Sequence, residues 1–173
     1  MDLAFSADGE ALAAAEGDGT VTLWEGRALG GGAGGAAEPK ATAQAQVSDE
    51  LLRSVTFAPD GRRIAAAGSA KTIFLLDAAT LATAASVGDA HGGDVNALRY
   101  APDGATLVSG GDDRAIKLWS VEASGGGGLT LLRAVADAHQ ASVMSLAFTA
   151  EGLASSSGDI DGEGRPNTLA LWR

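Results

Sequence analysis

Three residue types that could form a hydrolytic triad occur near one another in this chain: His91, Ser109 and Asp113. A nucleophilic serine lies on a strained strand-to-helix turn, as in the pattern Gly-x-Ser-x-Gly. Ser109 instead lies within residues 107–111, which are predicted to form a β-strand. We therefore do not interpret the three side chains as a hydrolytic triad, and we expect no catalytic residues and no enzyme activity.

A second candidate for chemistry is a phosphate-binding loop at residues 68–72, which read GSAKT. Such a loop requires a glycine directly before its lysine and a helix directly after it. Here Ala70 precedes Lys71, and the residues that follow are predicted to form a strand. We therefore reject phosphate binding by this segment.

Metal binding is the third possibility, because acidic residues alternate through residues 159–163, as they do in calcium-binding turns. A calcium loop ends on a bidentate glutamate, and Ala170 occupies that place. The two histidines, His91 and His139, are separated by 48 residues and occupy equivalent positions of a repeat, which argues against joint ligation of a metal. The sequence predicts no bound metal and no cofactor.

The chain contains an internal repeat. Four segments align on an aromatic residue followed by a turn: FSADG at 5–9, FAPDG at 57–61, YAPDG at 100–104 and FTAEG at 148–152. Three of them contain Asp-Gly flanked by apolar residues, which indicates a β-hairpin because glycine accepts the positive φ of a tight turn. Each aromatic residue is therefore predicted to end a strand.

Further strands are predicted in every repeat. An apolar anchor (Trp24, Leu76 or Trp119) follows nineteen residues after the aromatic in three repeats, and Trp172 follows at a longer distance in the fourth. The residues before these anchors alternate with a period of two, which is typical of strands. The middle strands lie near Leu12, Ile64, Leu107 and Leu153, and fourth strands lie around residues 81–87 and 129–135. Glycine-rich flexible loops are predicted at residues 30–35 and 125–128, the first followed by a strand or helical turn before Gln46.

Four-stranded units that recur at this spacing are typical of the blades of a β-propeller, in which each sheet buries its faces against its neighbours. Helical repeats would need a period of 3.6, which is absent. The sequence therefore predicts one all-β domain over residues 1–173, a partial β-propeller with four blades, the last lacking its outer strand. The repeats are placed at 1–48, 49–88, 89–136 and 137–173.

These repeats resemble the WD-repeat (tryptophan-aspartate repeat) family over nearly the whole chain. The most diagnostic stretch is residues 91–119, HGGDVNALRYAPDGATLVSGGDDRAIKLW. The resemblance implies a protein-binding role and a buried network of His91, Ser109, Asp113 and Trp119. Imidazole, hydroxyl, carboxylate and indole N–H groups can satisfy one another inside a blade, which would fix the loops to the strands.

The other three repeats depart from this pattern. The first keeps Asp18 and Trp24 but has Ala14 in place of the serine, and the second keeps none of the four residues. The fourth repeat offers His139, Ser155 and Trp172, with either Asp159 or Asp161 as the carboxylate.

Charge and composition limit the possible partners. A formal net charge of -10 would repel phosphate backbones, and Arg62 and Arg63 form the only basic pair, so we expect no nucleic-acid binding. The absence of cysteine excludes disulfides and thiolate metal sites. No apolar run approaches the roughly 20 residues of a membrane helix. We expect no membrane contact and a soluble, intracellular protein of the cytoplasm, with the nucleus as the alternative compartment.

The number of blades is small for the family. The resemblance implies a ring of seven blades, which would need roughly 300 residues, whereas this chain has 173. We expect either a fragment of a longer protein, which we favour, or a partial ring that self-association or another chain completes.

Our first functional hypothesis is a non-catalytic interaction scaffold or adaptor that presents an acidic docking surface to a basic or mixed partner protein. The alternatives are a regulatory propeller within a larger enzyme and a truncated gene product without independent function. The docking surface is placed on the upper rim, formed by the loops before each first strand and between each second and third strand. The candidate rim residues are Asp94, Asn96, Asp112, Arg114, Asp159, Asp161, Glu163 and Arg165.

Overall fold

A computed structural model describes residues 1–25, 41–122, 128–159 and 162–173, which form four antiparallel sheets. The first blade contains β1 (Asp2–Phe5), β2 (Ala11–Ala15), β3 (Thr20–Glu25) and β4 (Ala41–Gln46). The second contains β5 (Leu52–Phe57), β6 (Arg63–Gly68), β7 (Ile73–Asp77) and β8 (Thr83–Val87). The third contains β9 (Val95–Tyr100), β10 (Thr106–Gly111), β11 (Ile116–Val121) and β12 (Leu129–Val135). The fourth contains β13 (Ser142–Thr149), β14 (Gly152–Gly158) and β15 (Leu169–Trp172).

The predicted all-β propeller with four blades is confirmed, and the fourth blade has three strands among the residues that the structure describes. The predicted loop at residues 30–35, most of that at 125–128, and Asp161 lie outside the described residues. No described helix is long and apolar enough to cross a membrane.

Neighbouring strands within each blade are consecutive in sequence and antiparallel. The turn after the first strand depends on its glycine: Gly9, Gly61 and Gly104 have φ values of 72°, 70° and 69°. Residues with a Cβ atom rarely adopt such positive φ values, so these glycines allow each first strand to turn tightly into the second.

The core lies between consecutive blades. We call the side of a blade that faces the next blade along the chain its forward face, and the opposite side its back face. Between the second and third blades, Ala65, Ala67 and Ile73 of the forward face pack with Leu98 and Leu107 of the back face. Equivalent clusters join the first blade to the second and the third to the fourth. Small residues on one face thus accommodate large residues on the other.

The first strands of the four blades, β1, β5, β9 and β13, lie side by side in chain order. They form the inner wall of the propeller. The loops that precede these strands and the turns between the second and third strands lie together on one rim, because successive strands are antiparallel. We call this the upper rim.

Candidate functional site

The third blade contains a closed network of four side chains. His91 Nδ1 lies 2.8 Å from Asp113 Oδ1, and His91 Nε2 lies 2.7 Å from Ser109 Oγ. The indole Nε1 of Trp119 donates to the same Ser109 oxygen at 2.8 Å. Asp113 also accepts from the backbone N–H of Gly92 at 2.9 Å, which ties the loop before β9 to the turn after β10.

The donors in this network fix the protonation of His91. Since the Asp113 carboxylate can only accept, His91 Nδ1–H donates to it, and the Nε2 of the neutral ring accepts from the Ser109 hydroxyl, whose oxygen accepts from Trp119 Nε1. Burial lowers the pKa of His91, although the hydrogen bond and charge of Asp113 oppose this shift. The imidazole is therefore neutral and structural.

Asp113 is held in its ionised form. Burial disfavours its charge, but hydrogen bonds from Gly92, His91 and Ala115 outweigh that cost and hold the pKa of the carboxyl below its ordinary value. Ser109 lies within β10, and its oxygen is hydrogen-bonded to both His91 and Trp119 inside the blade. The arrangement is thus suited to stabilising loops, and the serine has no strained turn that would present it to a substrate.

The fourth blade builds the same network with one different residue. His139 Nε2 lies 2.7 Å from Ser155 Oγ, and Trp172 Nε1 donates to that oxygen at 2.7 Å. However, the hydroxyl of Thr168 lies 2.6 Å from His139 Nδ1, in the place where the third blade has the Asp113 carboxylate. Neither predicted candidate takes this place among the described residues: Asp159 lies elsewhere, and Asp161 is not described.

Thr168 escaped the sequence reasoning, although the repeat contains a signal for it. It lies four residues before the tryptophan anchor, and Thr20 and Thr72 stand at the same distance from the anchors of the first two repeats. The equivalent residue of the third repeat is Ala115. The first, second and fourth repeats therefore each have a hydroxyl at this position. The fourth repeat uses it beside His139, the second has no carboxylate that matches Asp113, and the first binds its carboxylate differently.

Asp159 closes the hairpin between β14 and β15. Its Oδ2 accepts from the backbone N–H groups of Gly164 at 2.7 Å and Arg165 at 3.1 Å. Its own N–H donates to Asn167 Oδ1 at 2.9 Å, and the Arg165 guanidinium pairs with Glu163. These predicted rim residues therefore form a separate local group at the tip of the fourth blade.

In the first blade, Asp18 and Trp24 make different contacts from the matching residues of the third blade, Asp113 and Trp119. Asp18 Oδ1 accepts from the backbone N–H of Thr20 at 3.0 Å, and its carbonyl accepts from Gln46 Nε2 at 2.7 Å. Trp24 lies on the back face of the blade, where Ala14 replaces the serine that Trp119 binds in the third blade. The turn is thus tied to β4, and Trp24 has no serine hydroxyl at that position.

Three other predicted rim residues meet at the mouth of the central channel. Asp94 accepts from Arg53 Nε at 2.9 Å and from Ser69 Oγ at 2.9 Å, while the backbone of Asp112 donates to the Asp94 carbonyl at 3.0 Å. Asn96 donates to Asp112 Oδ1 at 2.6 Å and reaches the carbonyl of Val143 at 3.3 Å. This group, the channel-mouth cluster, connects the second, third and fourth blades.

Arg114 lies further out on the same rim. It adopts a φ of 64° and pairs with Asp137 at 2.7 Å, joining the third blade to the loop before β13. Both side chains are well exposed, at 42% and 70%. An ion pair this exposed contributes little to the stability of the fold.

The sequence reasoning missed Arg53, which anchors the channel-mouth cluster. The signal is again positional: Met1, Arg53, Asn96 and Met144 each lie four residues before the aromatic of their repeat. With Arg99 and other inner-strand residues, they line a channel cavity of about 290 Å³. Aligning the repeats on the first strand would have identified this row.

The upper rim is strongly acidic. The basic residues of its loops and turns are Lys71, Arg114 and Arg165, and the side chains of Arg53 and Lys117 also reach this rim from β5 and β11. Its acidic residues, in the loops and turns that the structure describes, are Glu16, Asp18, Asp49, Glu50, Asp89, Asp94, Asp112, Asp113, Asp137, Asp159 and Glu163. In the described part of the chain, no group of three or more His, Asp or Glu side chains is arranged to hold a metal ion. The rim therefore presents a negatively charged surface.

Comparison with known proteins agrees with this geometry. The family model described as "WD domain, G-beta repeat" matches residues 1–25 and 83–120. WD repeat-containing protein 1 of Xenopus tropicalis is 38% identical over 76 residues, which are 43% of this chain and 12% of that protein. Protein hir1 of Emericella nidulans is 32% identical over 133 residues, which are 66% of this chain and 13% of that protein.

Actin-interacting protein 1 of Drosophila melanogaster is 33% identical over 78 residues, which are 44% of this chain and 13% of that protein. The chain thus spans about an eighth of the length of these relatives. The repeat model matches blades whose strands and buried histidine network the structure contains. The chain therefore carries WD repeats, and it is similar over part of its length to proteins of the WD-repeat family.

Proposed function

We propose that this chain is a protein-interaction scaffold that binds a basic segment of a partner protein on its acidic upper rim. The WD repeats of the chain support a scaffold role in general, since proteins built from this repeat are in general non-catalytic scaffolds. The observation that carries the finer proposal is the excess of acidic over basic side chains in the loops of this one rim.

The charge on the rim favours a basic partner for a simple electrostatic reason. Opposite charges steer a diffusing partner toward the surface, and unpaired like charges disfavour acidic competitors. The exposed carboxylates of Asp49, Asp89 and Asp137 lie in loops before three successive inner strands. A basic segment that crosses the rim would therefore contact more than one blade.

The channel-mouth cluster gives this surface a fixed shape. Arg53, Asp94 and Asp112 hold one another in place across two blades, so their positions are set before a partner arrives. Groups that are already ordered lose less conformational entropy on binding, which strengthens an interaction of a given size. This cluster supports the central part of the rim as the region that orients the partner.

The relatives support protein as the class of partner. The name of the Drosophila relative describes an interaction with actin. Because this chain corresponds to only 13% of that protein, we propose a protein partner and do not propose actin itself.

The test compares two variants, each of which lacks three negative charges. One variant lacks them on the upper rim, and the other lacks them on the opposite, lower rim. The first carries Asp49→Asn, Asp89→Asn and Asp137→Asn on the upper rim. The matched control carries Asp60→Asn, Glu122→Gln and Glu151→Gln, which are exposed residues of the lower rim. Binding of fluorescent lysine-rich, neutral and glutamate-rich peptides of equal length is measured by anisotropy at two salt concentrations.

We expect the unmodified chain to bind the lysine-rich peptide most tightly and to lose affinity as salt rises. The upper-rim variant should bind that peptide at least tenfold more weakly, while the control should keep most of the affinity. Equal losses in both variants would contradict a role for this rim. Equal affinity for the glutamate-rich peptide would contradict the preference for basic partners.

A further inference from the structure

A pocket of about 580 Å³ lies on the lower rim, between the second and third blades. Its walls are the turn between β5 and β6, the turn between β9 and β10, and the end of β11. The two turns lie close together, because a Cβ atom on Gly104 would be 3.7 Å from Pro59 Cδ. Both blades have a neighbouring blade on either side within this chain. We call this cavity the lower-rim pocket.

Tyr100 lines the lower-rim pocket with a hydroxyl that has no hydrogen-bond partner among the described residues. The side chain is buried, with the residue only 8% exposed. Burial raises the pKa of Tyr100 to about 12, while the charge of Arg63 opposes this rise and the charge of Asp60 adds to it. Because Arg63 and Asp60 also line the pocket, the hydroxyl lies near the groups that a ligand would meet. A ligand oxygen at this place would give the hydroxyl the partner that it lacks.

Arg62 and Arg63 bring two positive charges to the same pocket. Arg63 Nη1 donates to the carbonyl of Glu122 at 2.8 Å, which holds this guanidinium between the two blades. Arg62 is exposed, and its backbone N–H donates to Asp60. Its guanidinium makes no hydrogen bond or ion pair within the part of the chain that the structure describes. The Arg62 side chain can therefore bind an anion without giving up a contact of the fold.

The two aspartates of the pocket are bound to their own turns. Asp60 Oδ1 accepts from the backbone N–H of Arg62 at 3.0 Å. Asp103 accepts from the backbone N–H of Thr106 at 2.9 Å and from the Thr106 hydroxyl at 3.1 Å. These two carboxylates balance the charges of Arg62 and Arg63. The balance favours a ligand group with one negative charge over a phosphate, whose second charge both aspartates would repel.

The hydroxyl and the arginines are departures from the repeat. The aromatic of the other three repeats is Phe5, Phe57 or Phe148, which have no hydroxyl. The positions of the two arginines are taken by residues 10–11 in the first repeat and 105–106 in the third, and neither pair contains a basic residue. The shared blade pattern therefore requires neither feature, yet neighbouring blades bring both to one pocket.

We propose that the lower-rim pocket binds the carboxylate of a glutamate or aspartate side chain of a partner protein. The guanidinium groups of Arg62 and Arg63 supply N–H donors in the planar arrangement that matches a carboxylate, and the Tyr100 hydroxyl supplies a further donor. Apolar neighbours of the acidic residue pack on Pro59 and Val121, which also line the pocket. The site lies on the opposite rim from the acidic surface, so either one can fail without the other.

The first experiment uses the fact that Tyr100 is the only tyrosine of the chain. Labelling the tyrosine rings with carbon-13 gives NMR signals that report on this pocket alone. The probe is a capped, otherwise neutral peptide with one glutamate between leucines, and the comparison peptides have glutamine, phosphoserine or lysine in that position. We expect the glutamate peptide to shift the Tyr100 signals in a saturable way and to bind at least about fivefold more tightly than the glutamine peptide.

Three results would overturn the proposal. The first is the absence of a saturable shift with the glutamate peptide. The second is equal or tighter binding of the glutamine or lysine peptide, which would show that the carboxylate is not recognised. The third is tighter binding of the phosphoserine peptide, which would overturn the choice of a group with one negative charge.

A charge variant identifies the residue that binds the carboxylate. Arg62→Gln should weaken binding of the fluorescent glutamate peptide by about fivefold or more, measured by anisotropy. The matched control is Arg133→Gln, which removes an exposed arginine of β12 that does not line the pocket. This control should keep the affinity of the unmodified chain. Equal losses in the two variants would overturn the role of Arg62.

Tyr100→Phe separates a binding role of the hydroxyl from a structural one. Because the hydroxyl has no partner in the free chain, its removal should not lower stability in urea denaturation, yet the glutamate peptide should bind about fivefold more weakly. Circular dichroism spectra verify that every variant folds. Unchanged affinity, or a loss of affinity that accompanies a loss of stability, would overturn the role of the hydroxyl in binding.

Discussion

Thr168 Oγ1 lies 2.6 Å from His139 Nδ1, in the place that the Asp113 carboxylate occupies beside His91. The series of hydrogen bonds in the fourth blade can therefore form without a charged group: Trp172 donates to Ser155, Ser155 donates to His139, and His139 donates to Thr168. The Thr168 hydroxyl also shares a hydrogen bond with the Ser157 hydroxyl, 2.9 Å away. A neutral hydroxyl thus replaces a carboxylate without leaving the histidine unpaired.

The first prediction concerns this hydroxyl. Replacing Thr168 with valine preserves the shape but removes the acceptor for His139 Nδ1–H, so the free energy of unfolding should fall by about 1–2 kcal/mol. Urea denaturation followed by tryptophan fluorescence measures the change. Thr83→Val, at an exposed position on β8, should change stability by less than about 0.5 kcal/mol. Equal stability of the two variants would show that Thr168 does not support the network.

Ser109 should be more important than Thr168, because two buried groups depend on its oxygen. Ser109→Ala leaves His91 Nε2 and Trp119 Nε1 without their partner, and each buried group left unpaired costs about 1–3 kcal/mol. The loss in urea denaturation should therefore exceed that of Thr168→Val. Ser86→Ala on β8 is the exposed control. A loss no greater than that of the control would contradict the network.

Stability should decrease as the pH falls below about 6.5, the ordinary pKa of histidine. Burial lowers the pKa of His91 in the folded chain, so the unfolded chain takes up a proton at a higher pH than the folded chain does. Protonation therefore favours unfolding in this range. His139, whose pKa burial also lowers, adds to the effect.

A second decline should follow at lower pH, because hydrogen bonding holds the pKa of Asp113 below its ordinary value against the effect of burial. Urea denaturation from pH 8 to pH 3 measures both declines. His91→Gln should flatten the profile below pH 6.5 but leave the decline at lower pH. An unchanged slope below pH 6.5 in this variant would exclude His91 as a source of the dependence.

Tyr100 is the one aromatic of the repeat series with a hydroxyl, and that hydroxyl is buried without a hydrogen-bond partner among the described residues. Burial raises the pKa of Tyr100 to about 12. Tyr100→Phe should stabilise the chain by up to about 1 kcal/mol, since it removes an unsatisfied polar group. Thermal denaturation measures the effect, and a clear loss of stability would indicate that the hydroxyl has a partner.

Gly19 should not tolerate a side chain. Its φ is 85°, and a Cβ atom there would lie 1.9 Å from the carbonyl oxygen of Ser48. Gly19→Ala should destabilise the chain by about 1–3 kcal/mol or more, from strain and the displaced loop. Gly17→Ala is the matched control, because a Cβ at Gly17 meets nothing within 4 Å. Similar losses for the two variants in urea denaturation would contradict the predicted clash.

Much of the fold could be predicted from the sequence because each blade is a local unit. Alternating residues before Trp24 and Trp119, and Asp-Gly turns after Phe57 and Tyr100, specify strands and hairpins within a few residues. The resemblance to the WD-repeat family implied that His91, Ser109, Asp113 and Trp119 form one network. Thr168 was missed because the family pattern requires a carboxylate beside the histidine, and only the pairing of β14 with β15 shows that the Thr168 hydroxyl reaches His139.

The sequence by itself determined which residues form strands, which faces are apolar and that the chain is acidic, because these properties depend on the order of neighbouring residues. Only the tertiary structure decided that Arg53 meets Asp94 across 41 positions of sequence, and that Leu3 and Leu169 lie on exposed faces of the first and fourth blades. Such contacts depend on how separate sheets pack against one another. The packing of blades follows from the shapes of whole faces, and no local pattern of residues encodes it.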